Sequence, residues 1–307
     1  MSKILVFGHK SPDTDTICSS LVMEKYYKNS GVDVEAVRLG NLNKETKYVF
    51  NFLGIESQRM IEEVEAGQEV ALVDHNEFSQ SANNIESAKI VRVVDHHRIC
   101  NFETAEPLYY TAKPVGCTST ILFEMFKQAN MEIERKEAVL MLSAIVSDTL
   151  LFKSPTCTAE DKAAAEELAK IANINVEEYG LEMLKAGTDL SDLSAKELIS
   201  LDAKEVMLKD VKAEIAQVNT ASIPDMMQRK AEIELEMQKE INEKGLDLFM
   251  LAITDIINSN SQAIVLGNKS ELVEKSYNVK LEDNSAFLPG VVSRKKQIIP
   301  ILTENAY

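Results

Sequence analysis

Four short runs in the first hundred residues, 3–8, 33–39, 69–74 and 90–95, are apolar at nearly every position and rich in Val, Ile and Leu. A strand that alternates apolar with polar residues shows one face to water. A strand that is apolar throughout is covered on both faces, as in a parallel sheet. Amphipathic stretches separate the runs: 16–28, where Ile17, Leu21 and Tyr26 recur at helical spacing, and 44–53. This βαβα rhythm predicts an α/β fold, a doubly wound and mainly parallel sheet. Further helices are expected at about 118–129, 135–150, 159–171 and 176–186, and 109–112 reads as extended.

The stretch KAGTDLSDLS at 185–194 interrupts this pattern. Gly187 stops a helix, and the Thr, Asp and Ser residues supply turn and cap chemistry. A first domain at 1–187, a hinge at 188–194 and a second domain at 195–307 follow. The second is a smaller α/β or α+β unit. Its strands are expected near 205–208, 211–218, 248–254 and 263–267, with one long helix from Pro224 to Lys244 and a last helix near 293–302. A length of 307 residues accommodates two such cores.

Composition narrows the partners. The net charge is −16, a surface that repels nucleic acid and anionic membranes over long range. No apolar stretch approaches the roughly 20 residues of a membrane span. The apolar run at 4–8 is too short for the core of a signal peptide. Cys18, Cys100, Cys117 and Cys157 are widely spaced without a C-x-x-C, as reduced thiols of a cytoplasmic protein would be.

The chain has only four histidines: His9, His75, His96 and His97. Each lies at or just past the end of an apolar strand and within a few residues of Asp. In an open α/β sheet the carboxyl ends of the strands are where ligands bind. ILVFGHKSPDTDT supplies His9, Asp13 and Asp15 in one loop, where Asp15 or Thr14 also suits the cap of the helix that follows. EVALVDHNE supplies Asp74 and His75, and IVRVVDHHR supplies Asp95, His96 and His97. Asp148 ends the apolar run AVLMLSAIVSD, where an unpaired carboxylate at a helix C-terminus is costly and calls for a cation.

Imidazoles with several carboxylates and no thiolate suit Mn²⁺, Co²⁺, Fe²⁺, Mg²⁺ or Zn²⁺. The four charges of Asp13, Asp15, Asp74 and Asp148 would be neutralised by two divalent ions. A pair of ions points to hydrolysis of a phosphate ester or anhydride. Neither G-x-x-x-x-G-K-[ST], G-x-G-x-x-G nor G-x-S-x-G occurs, which removes P-loop, dinucleotide and serine-hydrolase readings.

With His9, Asp13 and Asp15, then Asp74-His75-Asn76, then Asp95-His96-His97 at successive strand ends, the chain resembles the DHH phosphoesterases. Asp202-Ala203-Lys204 and Ser293-Arg294-Lys295-Lys296-Gln297 in the second half narrow the resemblance to the manganese-dependent, family II inorganic pyrophosphatases. The resemblance spans both domains. It implies that His9 and Asp13 hold one metal, that Asp15 and His96 hold the other, that Asp74 bridges them and that Asp148 completes the cluster. It further implies that His97 hydrogen-bonds or protonates the phosphate, with Lys204, Arg294 and Lys295 gripping its oxygens as substrate-binding and catalytic groups. Asp95 is expected to orient a histidine and His75 to support the cluster from behind. The start of a helix at Cys117-Thr118-Ser119 reads as either a cap or a phosphate neighbour, and Lys296 as solvated.

The expected reaction is hydrolysis of pyrophosphate to two orthophosphates by a hydroxide activated between two Mn²⁺ ions. Co²⁺ is the expected substitute and Mg²⁺ accompanies the substrate. The active site is expected in the cleft between the domains of a subunit that forms a homodimer through the first domain. The rival enzymatic reading is another DHH phosphoesterase, acting on polyphosphate, oligonucleotides or cyclic dinucleotides. Aromatic residues at 6% and no Trp offer a poor stacking platform for bases. A non-catalytic metal- or nucleotide-sensing protein is the reading from a different class.

Overall fold

The computed structural model describes residues 3–306; positions 1, 2 and 307, at the outer ends of the two expected domains, lie outside the described residues. Packing divides the chain between Gly187 and Thr188 into two units. Among the described residues of the first, six strands are present: β1 (Ile4–Phe7), β2 (Val34–Arg38), β3 (Arg59–Met60), β4 (Glu69–Val73), β5 (Lys89–Asp95) and β6 (Tyr109–Ala112). They pair in parallel throughout, in the order β3-β2-β1-β4-β5-β6. The order reverses between β1 and β4. At such a switch the connections leave for opposite faces and open a crevice at the carboxyl ends.

Both faces of the sheet are covered, as uniformly apolar strands require. Val6, Ala71, Val73 and Val94 belong to a core shared with α1 (Thr14–Asn29), α2 (Lys44–Leu53), α3 (Thr118–Gln128), α4 (Arg135–Asp148), α5 (Ala159–Ala172) and α6 (Val176–Gly187). Phe7, Val37, Val70, Leu72 and Val93 belong to a second core, which contains no residue of an α-helix. It is closed by loops that bring in Ala82, Ile85, Phe78 and Phe102, with single 3₁₀ turns at Phe78–Gln80 and Ile85–Ser87. The winding is doubly wound, with loops in place of helices on one side. Each fully buried Leu or Phe contributes about 1.5–3 kcal/mol, which makes the strands firm supports for the loops at their ends.

The second unit holds a mixed sheet of order β11-β10-β9-β8-β7. Its strands are β7 (Ala203–Leu208), β8 (Val211–Thr220), β9 (Leu248–Asp255), β10 (Asn260–Leu266) and β11 (Ser285–Pro289). β8 and β9 pair in parallel and the other pairs are antiparallel. The helices are α7 (Ala195–Ser200), α8 (Ile223–Met227), α9 (Lys230–Lys244), α10 (Glu271–Tyr277) and α11 (Ile299–Asn305).

Two expectations change here. The helix expected from Pro224 to Lys244 is two helices, broken at Gln228 and Arg229. Arg229 leaves helical geometry with ψ 4°, and its guanidinium donates to the carbonyls of Leu190 and Leu193 at 3.0 and 2.7 Å. Those bonds tie down the segment 188–194, as does the donation from Ala221 N–H to Thr188 Oγ1 at 2.9 Å. The last helix opens as a single π turn, Arg294–Ile298, before α11. Pro300 has no amide with which to continue an α-helical ladder through that turn. The short elements β3, α7, α10 and β11 carry too little periodicity to be read from sequence, and β11 ends in a proline suited to an edge strand.

Candidate metal centre

The site of the first unit is assembled by the segments that follow β1, β4 and β5 and by one end each of α1, α3 and α4. His9 follows β1, with its Nε2 3.4 Å from Asp13 Oδ2 and 3.5 Å from Asp74 Oδ2. His96 follows β5, with its Nε2 3.3 Å from Asp74 Oδ1 and 3.7 Å from Asp148 Oδ2. Three groups of ligand atoms are each compact enough for one ion; one of them, Asp74, His96 and His97, shares two members with the larger of the others, which leaves two distinct centres: His9, Asp13 and Asp74, then Asp15, Asp74, His96 and Asp148. Asp74 belongs to both, with one carboxylate oxygen facing each.

Local sequence explains the placements. Asp13, rather than Asp15 or Thr14, caps α1, since its Oδ1 accepts from Thr16 N–H at 3.0 Å. Its other oxygen is the one beside His9. Asp15 then lies in the first helical turn, fully buried. Asp74 closes β4 in the left-handed region, φ 59°. Asp and Asn accept that region more readily than other non-glycine residues. Asp148 ends α4 and is followed by three successive left-handed residues, Leu150, Leu151 and Phe152, at φ 47°, 52° and 66°. Such a turn costs about 1–2 kcal/mol per residue. It is held by Leu151 N–H to Val146 O at 2.9 Å and Ser154 N–H to Thr149 O at 2.8 Å. Strain of this kind, adjacent to a candidate ligand, is characteristic of functional positions. Gly8 lets α1 come close, because a Cβ there would stand 2.4 Å from the Thr16 methyl.

Supporting contacts fix His96, Asp74 and Asp15 among the candidate ligands. His96 Nδ1–H donates to the Val115 carbonyl at 3.0 Å, which sets the tautomer and turns Nε2 toward the carboxylates. Asp74 accepts from Thr16 Oγ1 at 2.7 Å and Thr118 Oγ1 at 3.0 Å. Asp15 accepts from Thr118 N–H at 2.7 Å, Ser119 N–H at 3.3 Å and Ser19 Oγ at 2.6 Å. The start of α3 therefore cradles a carboxylate, in keeping with its positive end, and its N-cap Cys117 makes no side-chain cap. Asp95 receives the His97 Nδ1–H at 2.9 Å and an Asn76 amide hydrogen at 2.6 Å. His97 lies 3.8 Å from Asp74, but its Nδ1 is committed to Asp95 and its ring is half exposed. This leaves Nε2 for a ligand outside the cluster. His75 has both nitrogens engaged, Nδ1–H with Val73 O at 3.0 Å and Nε2 with Ser81 Oγ at 3.1 Å. Burial pushes its pKa down to about 4, so it is a neutral internal support.

Of these partners, sequence reading missed Thr16, Ser19, Val115 and the donor roles of Thr118 and Ser119. Glu45 was missed too: half-buried in α2, it accepts from Thr14 Oγ1 at 2.6 Å and from Ser147 Oγ, bracing the neighbours of Asp13 and Asp148. Only the hydroxyl-rich run TDTICSS after His9 marks any of them in the sequence.

Without a metal, protons balance the charge. Burial alone would lower the pKa of His9, yet Asp13 and Asp74 lift it to about 10. Burial is likewise outweighed at His96, which Asp74 and Asp15 lift to about 9. Burial and Asp74 raise Asp15 to about 6, and burial with Asp15 and Asp74 raises Asp148 well above the carboxylate range. Asp74 resists its burial and is held far below that range by His9 and His96. Burial, then Asp15, pushes the thiols of Cys18 and Cys117 up, which removes both as thiolate ligands. The hard oxygen and imidazole donors, close together and rich in negative charge, fit divalent ions such as Mn²⁺. A divalent ion in either group would displace an imidazole proton, because the neighbouring carboxylates lift His9 and His96 above neutrality. Affinity should then rise about tenfold or more per pH unit between pH 6 and 8. Calorimetric titration of Mn²⁺ in buffers of different ionisation enthalpy measures that proton release, and a pH-independent affinity would contradict the ligand set.

The expected cations lie in the second unit. Lys204 is exposed on β7, and Lys295 and Lys296 are exposed in the π turn. Arg294 is more enclosed, its guanidinium 2.8 Å from the Asp202 carboxylate and also bonded to the Asp202 carbonyl. Its backbone N–H donates to Gln217 Oε1 at 2.8 Å. Lys204 and Arg294 thus share the neighbourhood of Asp202.

Two family models match successive parts of the chain. The DHH family N-terminal domain matches residues 3–145, and the DHHA2 domain matches residues 181–305. A probable manganese-dependent inorganic pyrophosphatase of Exiguobacterium sp. is 57% identical over 307 residues, covering 100% of this chain and 99% of the relative. The manganese-dependent inorganic pyrophosphatase of Bacillus subtilis is 56% identical, with 99% of each chain covered. The crystal structure of a putative family II inorganic pyrophosphatase of Methanococcus jannaschii is 40% identical, with 98% of each chain covered and a TM-score of 0.62. The acidic histidine cluster at the switch point, the cation-bearing second unit and full-length identity above one half lead to one conclusion: the chain belongs to the manganese-dependent, family II inorganic pyrophosphatases.

Proposed function

We propose that the protein hydrolyses inorganic pyrophosphate to two orthophosphates with two Mn²⁺ ions per subunit. The observation that carries this reading is the shared carboxylate of Asp74, which belongs to two ligand groups at once. His9 and Asp13 hold one ion, Asp15 and His96 the other, Asp74 lies between, and Asp148 completes the second group. Bound ions would supply Lewis-acid charge for the phosphoryl oxygens and lower the pKa of attacking water.

The chain's own residues do the rest. The hydrogen bond to Asp95 raises the His97 pKa and fixes its ring, which leaves Nε2 to hydrogen-bond a phosphate oxygen and, in the protonated ring, to donate to the departing orthophosphate. Arg294 offers a planar fork to phosphate oxygens, and Lys204 and Lys295 offer point charges. Asp95 and His75 act through other side chains.

Co²⁺ takes the place of Mn²⁺ in this reading, and Mg²⁺ enters with the substrate. The reading also takes the protein as cytoplasmic, in keeping with its four free cysteines, and with no nucleic-acid partner, in keeping with a charge of −16. Homodimer formation through the first unit is supported by β6, an edge strand whose Tyr109 is 72% exposed. Phosphate release in Mn²⁺ from pyrophosphate, a dinucleotide and tripolyphosphate tests the assignment. A preference for pyrophosphate of at least about a hundredfold in kcat/KM is expected, within what a site built on polar contacts achieves. Faster turnover of the dinucleotide or tripolyphosphate would move the protein to another branch of DHH phosphoesterases.

A further inference from the structure

Asp161, in the first turn of α5, lies outside every motif of the metal centre, yet it is fully buried and accepts four hydrogen bonds. Two come from its own helix cap, Thr158 N–H and Thr158 Oγ1, both at 2.7 Å. The other two come from a different part of the chain: Gly116 N–H at 2.8 Å and Thr120 Oγ1 at 2.6 Å. A cap alone does not require those. They fasten the segment between β6 and α3 at two points that bracket its working residues. Within that bracket Thr118 and Ser119 N–H hold Asp15 and Thr118 Oγ1 holds Asp74, and immediately before it Val115 O receives His96 Nδ1–H. The fit at Gly116 is close. A Cβ there would stand 2.8 Å from Asp161 Oδ2 and 2.9 Å from the methyl of Thr149, the residue after Asp148.

We infer that Asp161 is a positioning residue for one ion of the pair, the one held by Asp15, Asp74, His96 and Asp148, and that it leaves the other ion largely untouched. The asymmetry follows from connectivity. Among the described residues, the hydrogen bonds from the 115–119 segment to the candidate ligands go to Asp15, His96 or Asp74, whereas His9 is oriented by Asp13 and Asp74, and Asp13 is set by the cap of α1. By holding Gly116 and Thr120, the carboxylate sets the Val115 carbonyl, the Thr118 and Ser119 amides and the Thr118 hydroxyl, whose positions decide whether the ligand atoms converge.

The inference rests on the two-ion reading, and Mn²⁺ binding counted by electron paramagnetic resonance separates the two. Wild-type protein binding two ions supports the reading; one ion or none would end it, whatever the variants do. Asp161→Asn keeps the shape but turns an amide toward donors. It should weaken one binding step about tenfold, the low end of what partners of metal ligands usually cost, and leave the other step near its wild-type value. Excess Mn²⁺ should then restore kcat. Thr158→Ala removes the helix cap while sparing Gly116 and Thr120, and should bind both ions as the wild type does. Should Asp161→Asn fail to fold, Thr120→Val removes one donor only and should weaken the same step about threefold. Unchanged binding in the folded Asp161 or Thr120 variant, equal weakening of both steps, or the same loss in Thr158→Ala would overturn the inference.

Discussion

Asp74→Asn should abolish tight binding of both ions and reduce pyrophosphate hydrolysis by about a thousandfold or more. The magnitude follows from the several kcal/mol that a metal's charge contributes to a phosphoryl transition state, at about 1.4 kcal/mol per factor of ten. The substitution isolates charge from shape. Asn tolerates the left-handed backbone that position 74 adopts at φ 59°, and a carbonyl oxygen can still accept from Thr16 or Thr118. What disappears is the anion that faces His9 on one side and His96 on the other. In the metal-free protein this loss removes one of the charges that raise each imidazole, Asp13 remaining beside His9 and Asp15 beside His96, and their pKa values should fall in a histidine NMR titration. In the wild type, Mn²⁺ at a hundred times its Kd should stabilise the fold by about 2.7 kcal/mol per site. In the variant, melting should barely respond to the same concentration. Replacement of Asp13, which stands in only one ligand group, should leave one binding step in place. A variant at 74 that retained both steps would show that the two groups do not share this carboxylate.

The parts of this centre that could be read from sequence are those that carry charge at unusual places. Four histidines at three strand ends stand out because imidazole is scarce and because apolar runs announce where strands finish. The groups that orient them are silent for a physical reason. The Val115 carbonyl and the Thr118 and Ser119 amides are backbone atoms, and any residue type would supply them. Asp161 is hidden differently, since Thr158 to Asp161 reads as an ordinary capping box and its bonds to Gly116 and Thr120 span more than forty residues. The same distinction runs through the fold. β1, β2, β4 and β5 declare themselves by composition, whereas the second core of the first unit is closed by loops that have no period to detect. The break at Arg229 is tertiary in origin, and the local helical pattern of 224–244 runs straight across it.

Arg294→Ala should separate the two units' contributions by leaving Mn²⁺ binding intact while lowering kcat/KM about 10²–10³-fold, the usual effect of removing one preorganised donor from a developing anion. Arg294 is anchored within its own unit. Its bonds run to the Asp202 carboxylate and carbonyl, and its amide to Gln217. The pairing with Asp202 has a further consequence. It holds the guanidinium in place before substrate arrives, so a phosphate group meets a cation whose side-chain freedom is already reduced. Arg294→Lys would retain charge but lose the fork, and should recover only part of the activity, which Arg294→Ala with added guanidinium should also do. Mn²⁺ titration beside steady-state kinetics of the same preparations decides the matter. Loss of metal binding and hydrolysis in equal measure would mean that Arg294 supports the metal centre itself, and the assignment of substrate oxygens to the second unit would fall.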